Sequence, residues 1–168
     1  MTDRRSGPGA PPRPHIDRII EEQVHDTYRQ RGKPPEPTVC RQCGAVFHKG
    51  RWQWLPAPAG AHETLCAACH RQNDKYPAGY VHLSGAFFTE HRDEILHLVR
   101  NVEHKEKGEH PLRRVMEIAP EGDGVLITTT DIGLARDIGV AVNDAYKGGS
   151  LDYRYIEDSA MLRVYWQR

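Results

Sequence analysis

From residue 15 onward, Ile16, Ile19, Ile20, Val24 and Tyr28 recur at intervals of three and four, and Lys33-Pro34-Pro35-Glu36-Pro37 breaks the run. Apolar positions at that spacing share one helical face, and a proline pair cannot continue a helix. The pattern predicts an amphipathic helix and a stiff proline-rich linker over 15–37. Residues 1–14 carry Pro8, Pro11, Pro12 and Pro14 and no large apolar side chain except Met1. That is too little burial to offset the entropy of ordering, so a flexible arm is expected there.

Further along, two short strand signals, Ala45-Val46-Phe47 and Trp52 to Leu55, flank the turn residues His48-Lys49-Gly50, which predicts a hairpin. From Ser84, the positions Phe88, Ile95, Leu98, Val99 and Val102 trace a helix that ends in a charged stretch before His110-Pro111. Strand-like runs at 113–118 and 125–130, a helix near 131–146, and further runs at 151–156 and 161–166 follow. Glu121-Gly122-Asp123-Gly124 and Asp158-Ser159 supply turns, Thr130 or Asp131 a helix cap, and Gly148-Gly149 a helix end. In the last run Leu162, Val164 and Trp166 form the apolar row. The expected fold is α+β: an N-terminal helix, a four-cysteine ribbon over 38–83, and an α-β-β-α-β-β domain over 84–168 with helices packed on a mixed sheet. The helical crossover between the two hairpins should leave the second and third strands parallel.

A chain of 168 residues has room for one substantial core or two small ones. Its 23 basic and 23 acidic residues cancel, yet residues 1–52 hold ten Lys or Arg against six Asp or Glu, a small asymmetry of the kind that can mark a polyanion-facing end. No apolar run reaches the length of a membrane helix, and MTDRRSGPGAPPRP lacks the apolar stretch of a secretory signal. A cytoplasmic protein with no membrane partner is expected. In that reducing compartment paired cysteines point to a metal rather than to disulfides.

The cysteines read Cys40-x-x-Cys43 and Cys66-x-x-Cys69 with 22 residues between the pairs. Two residues between ligands let the backbone fold into a knuckle whose N–H groups face the thiolates, and Gly44 supplies the freedom a tight turn needs. We read one structural zinc ion held by Cys40, Cys43, Cys66 and Cys69, with no position left open for water. A ribbon this small cannot hold itself together by apolar burial, whereas a structural zinc is worth about 10–16 kcal/mol. Cys66-Ala67-Ala68-Cys69-His70 also spells the haem c attachment pattern. Haem is set aside because attachment requires export and leaves Cys40 and Cys43 unexplained. A thioredoxin-like pair would need a β-α-β context that neither pair has, and a zinc-linked thiol switch stands as an alternative.

The other titratable groups yield no catalytic set. Glu94-x-x-His97 is a lone E-x-x-H where a di-iron site needs two, and His91, His104 and His110 sit among charges on what should be a solvated face. His70 either donates to a ligand or faces solvent. Asp131 at the opening of a helix would repel an anion, so it reads as a cap. Without a nucleophile, acid or base in a recognisable arrangement, a non-enzymatic protein is expected.

Arg41, Lys49, Arg51, Trp52 and Trp54 combine cations with flat rings, the pairing by which proteins hold single-stranded or irregular RNA. Period two puts Trp52 and Trp54 on one face, where they either cover the knuckles or stack on bases. On the C-terminal sheet Arg163 and Tyr165 lie opposite the apolar row, beside Arg154, as an RNA-binding or protein-docking face or a plain polar surface.

The order of these features, a paired-cysteine ribbon followed by DKYPAGY, LSGAFFTEHRDEILHLVRNVEHKEKGEHPL and DGVLITTTDIGLARDIGVAVNDAYKG, resembles a family of small bacterial proteins of unassigned function over residues 15 to 168. That group is similar to a shortened form of the archaeal and eukaryotic large-subunit export adapter, once named as the third nonsense-mediated-decay protein. The resemblance implies zinc on Cys40, Cys43, Cys66 and Cys69 and association with the ribosome or its RNA. The chain differs from the adapter in having one double-knuckle ribbon and none of its further domains. The sequence reading is thus a zinc-ribbon protein binding ribosomal or other structured RNA, as a stress or assembly factor. Its alternative is a zinc-dependent thiol redox or protein-interaction module.

Overall fold

The computed structural model describes residues 27–28, 32–156 and 159–168. The expected arm over 1–14 and the Ile16–Val24 part of the expected helix lie outside the described residues.

Four short strands form the ribbon: β1 (Thr38–Cys40), β2 (Val46–His48), β3 (Arg51–Gln53) and β4 (His62–Thr64), in the order β3-β2-β1-β4. β1 pairs antiparallel with β2 and parallel with β4. The β2–β3 hairpin turns on Lys49-Gly50, both in the left-handed region at φ 50° and 77°, the conformation whose twist matches a two-residue hairpin loop. Both amides of that turn point at Glu36, whose carboxylate accepts from Lys49 N–H at 2.7 Å and Gly50 N–H at 2.8 Å. Those two bonds tie the proline-rich linker to the tip of the hairpin.

An eight-residue helix, α1 (Ala67–Asp74), follows. The sequence reading placed no helix there, because AACHRQND has no apolar periodicity. What holds α1 is its start at Cys66 and its contacts with Tyr28, described below.

The second sheet has five strands: β5 (Gly79–Ser84), β6 (Val115–Glu121), β7 (Gly124–Thr129), β8 (Ser150–Ile156) and β9 (Met161–Gln167), in the order β6-β7-β5-β9-β8. β5 is the central strand, antiparallel to β7 and parallel to β9. The expected ribbon boundary at residue 83 therefore cuts this strand from its own sheet, and the expected α-β-β-α-β-β order lacks its first strand. GYVHLS carries only Val81 and Leu83 as apolar residues, too short an alternation to announce a central strand. β7 and β8 do run in the same direction, since each is antiparallel to β5 or to its parallel partner β9, but β5 and β9 lie between them.

Helices α2 (Ala86–Glu90) and α3 (Arg92–Glu109) replace the single expected helix, with His91 between them outside helical geometry at φ −111° and ψ 21°. α4 (Ile132–Ala145) is capped by Asp131, whose carboxylate accepts the Leu134 N–H at 3.0 Å. Alternate residues of the three inner strands, Val81, Leu83, Val125, Ile127, Leu162, Val164 and Trp166, meet Leu134, Ile138 and Val142 of α4 and Phe88, Ile95 and Val99 of the preceding helices in one buried core. A Cβ on Gly79 would overlap Thr129 Oγ1 and Ala135 Cβ, so glycine there is what lets α4 lie down on β5. The architecture is α+β with two mixed sheets. Among the described residues no helix is long and apolar enough to cross a membrane.

Candidate metal centre

Cys40 ends β1, and the chain after it folds back at once. Gly44 N–H donates to Cys40 O at 2.8 Å and Cys40 N–H to Ala45 O at 2.8 Å. Gly44 has φ 78°, a conformation a side chain would strain. The second pair is built differently. Cys66 is the N-cap of α1, and its Sγ accepts the Cys69 N–H at 3.5 Å. Both of its thiols thus sit at a helix N-terminus, where the aligned peptide dipoles favour negative sulfur.

The four Sγ atoms lie within 4.8 Å of one another. Cys40 Sγ is 3.8 Å from Cys69 Sγ, and Cys43 Sγ is 3.9 Å from Cys66 Sγ. A tetrahedron with metal–sulfur bonds of about 2.3 Å has edges of about 3.8 Å. The donors are therefore already spaced to hold one metal ion. Cys40, Cys66 and Cys69 are buried, while Cys43 is half-buried.

Burial pushes the Cys40 thiol up, but the N–H groups of Cys66, Cys43 and Gln42 more than reverse this and bring its pKa to about 6. Cys66 N–H reaches Cys40 Sγ at 3.3 Å. Cys66 and Cys69 go the other way: burial raises both thiols, partly countered at Cys66 by the Cys69 N–H and at Cys69 by Arg114. Of these three thiols Cys40 gives up its proton most readily, and metal binding would take protons from Cys66 and Cys69.

The counter-charge comes from the sheet domain. Arg114, just before β6 and only 6 % exposed, extends its guanidinium into the cluster. Nη1 donates to Cys69 Sγ at 3.3 Å and to Gln72 Oε1 at 3.1 Å, Nη2 approaches Cys66 Sγ at 3.8 Å, and Nε donates to Pro111 O at 2.8 Å. Burial pulls the guanidinium pKa down, and the thiols of Cys69 and Cys43 raise it again to above its ordinary value. A tetrathiolate around a divalent ion carries two net negative charges, and a buried cation in hydrogen-bond contact offsets part of that. The adjacent Arg113 serves a separate network, pairing with Glu106, Asp137 at 3.1 Å and Asp131 at 3.3 Å. No feature of the sequence tells these neighbours apart, and the reading from sequence missed Arg114 for that reason.

A second anchor lies on the outer side of α1. Tyr28 OH donates to Asp74 at 2.8 Å, its ring lies 5.5 Å from that of Tyr76, and the buried Arg71 sits 4.6 Å over it. His70 is exposed, 6.4 Å from the Tyr28 ring, so the donor to the cluster is Arg114 rather than His70.

The remaining candidates separate. Trp52 packs edge-on against Phe47 at 5.6 Å and against the cysteine cluster, so it covers the metal centre. Trp54, 40 % exposed, donates its indole N–H to Lys107 O at 2.6 Å, meeting one of the carbonyls that the C-terminus of α3 leaves open. The two indoles therefore do not make one face. Arg41, Lys49 and Arg51 are exposed. Arg51, Phe47, Trp52 and Leu112 line a cleft of about 310 Å³ between ribbon and sheet domain, which adjoins one of about 330 Å³ bearing Lys33. On the five-stranded sheet, Arg154 and Arg163 face each other across β8 and β9, with Arg154 4.9 Å from the Tyr165 ring, Arg163 4.6 Å from that of Tyr80, and His82 stacked on Tyr165 at 4.5 Å.

Compared with models of protein families, with curated proteins and with solved structures, the chain matches none.

Proposed function

We propose that the protein is a non-enzymatic, cytoplasmic zinc-ribbon protein that binds structured RNA, with the ribosome as its site of action in stress or assembly. Four thiols with no oxygen or nitrogen donor among them select a soft or borderline ion, and a closed tetrahedral set suits zinc in a structural role. The observation that carries the RNA reading is the state of Arg41, Lys49 and Arg51. All three project from the metal-supported ribbon into solvent, and none forms an ion pair with a described residue. Unpaired cations held on a rigid frame beside a cleft with an aromatic wall suit phosphate contact with an unpaired base nearby. Trp52 supplies that wall and does not project as a free stacking ring. Arg154, Arg163 and Tyr165 form a separate surface whose rings are already paired with each other's neighbours, and a protein partner or RNA can meet it.

Two measurements test the reading. Binding to a labelled structured RNA should weaken with salt, and three phosphate contacts set a slope of about −2 to −3 in log K against log salt. The combined substitution Lys49→Glu and Arg51→Glu should flatten it. Tagged protein should sediment with ribosomal particles at low salt. Absence from every ribosomal fraction, in growth and under stress, refutes the ribosomal part, and salt-independent RNA binding refutes the phosphate contacts.

A further inference from the structure

We propose that Cys43 is the ligand through which the metal centre reacts with soft electrophiles and with peroxide, and that Arg114 shields the opposite side of the cage from the same attack. The four sulfurs differ in access: Cys40, Cys66 and Cys69 are 1 %, 0 % and 0 % exposed, whereas Cys43 is only half-buried. Arg114 lies against Cys69 and Cys66 at 3.3 and 3.8 Å, and backbone N–H groups reach Cys66 and Cys40 at 3.5 and 3.3 Å. Its positive charge acts on Cys43 as well, so what distinguishes Cys43 is its opening to solvent. A thiolate that donates charge into N–H bonds is a poorer nucleophile, and one without access does not react at all.

With an alkyl halide, a lone pair of Cys43 Sγ forms the S–C bond and the halide leaves with its electron pair. The thioether that results is neutral, and the ion loses one anionic ligand. With hydrogen peroxide, the Cys43 thiolate attacks one oxygen, the O–O bond breaks, and a sulfenic acid and hydroxide form. The Cys66 thiolate, whose sulfur is 3.9 Å from that of Cys43, then attacks the sulfenic sulfur and expels a second hydroxide as the disulfide forms. Two thiolates give up two electrons, the two hydroxides take protons from solvent, and the ion leaves. The disulfide leaves Arg114 beside Cys69, whose sulfur lies 3.3 Å away and takes no part in it. This inference rests on the metal reading alone and is independent of RNA binding.

The zinc-loaded full-length chain is treated with less than one equivalent of iodoacetamide. Released zinc is followed with a chromogenic chelator, and adducts are mapped by mass spectrometry. The expected result is that Cys43 carries most of the first adduct and that zinc release keeps pace with it. Cys43→His, which keeps four ligands, should bind zinc and release it about fivefold or more slowly under the same treatment. Arg114→Met should speed release about fivefold and spread adducts to Cys66 and Cys69. Where that variant is insoluble, Arg114→Lys, which lacks the guanidinium fork, should show the same change in smaller degree. A first adduct on Cys40, Cys66 or Cys69, an even spread over all four, or a Cys43→His protein that releases zinc as fast as the wild type overturns the role of Cys43. An unchanged rate and adduct pattern in the Arg114 variants overturns the shielding.

Discussion

The ribbon and the sheet domain solve the same problem with different materials. Around the cysteines the mutually buried cluster is Cys40, Cys66, Cys69 and Ala68, whereas fourteen side chains from Val81 to Trp166 meet in the other core. The second core is held by the removal of apolar surface from water, at about 25 cal/mol per Å². The first has little such surface, and its four thiols are spaced to hold an ion, whose bonds are worth about 10–16 kcal/mol in small structural sites. Between them stands Arg114, a charged side chain of the sheet domain buried in the ribbon's cluster. The contrast teaches that the metal centre is also an interface, and that its charge is completed from the better-packed half.

The sharpest way to break the comparison is to remove the metal. Chelation, or Cys66→Ser, should unfold the ribbon and leave the five-stranded sheet folded, because the ion's contribution exceeds anything the ribbon's own burial supplies. Hydrogen exchange should then show residues 38–64 fully exchanging while β5, β7 and β9 stay protected. Loss of protection in both regions together would mean that the two form one cooperative unit.

The converse perturbation is Leu162→Ala, which empties a fully buried site on β9. It should cost about 2–5 kcal/mol, read as a fall in melting temperature, while the metal-to-protein ratio of the folded protein stays at one. A loss of metal with the packing defect would tie the cage to the sheet core more tightly than Arg114 alone does.

Smaller effects test the seams. Trp54→Phe keeps an aromatic ring and removes the N–H to Lys107 O, so about 0.5–1.5 kcal/mol should be lost with that bond, with local exchange increasing at both the end of α3 and β3. Glu36→Gln should have the smallest effect. Backbone N–H groups of Gly50 and Lys49 hold the Glu36 carboxyl below its ordinary value. Its contribution is therefore present above about pH 4.3 and is lost as the pH falls through the lowered folded pKa. The melting temperatures of Glu36→Gln and wild type should differ slightly at neutral pH and converge in acid.

Periodicity and spacing carry far in some elements and not in others. The hairpin over 46–53, the strands from Val115 on, α4 and its cap at Asp131 follow from alternation, helical spacing and turn residues, all properties of adjacent positions. β5 and α1 do not, because each is held by partners far away in the chain: β5 by pairing with β7 and β9, and α1 by the cysteine cluster at its start and Tyr28 on its outer side. The four clustered cysteines were legible because their repeat is local, two residues within each pair. Arg114 was not, because nothing adjacent to it differs from what surrounds Arg113.

By itself, then, the sequence determined the four-cysteine cluster and the α+β character, since Cys-x-x-Cys pairs and apolar periods are written in neighbouring residues. Only the tertiary structure decided which sheet claims Gly79–Ser84, which indole covers the cage and which ties the ribbon to α3, and which arginine faces the sulfurs. Those choices depend on contacts between segments 26 to 83 residues apart, such as Cys66 with Cys40 and Gly79 with Leu162, and distance in space is what a linear pattern does not record.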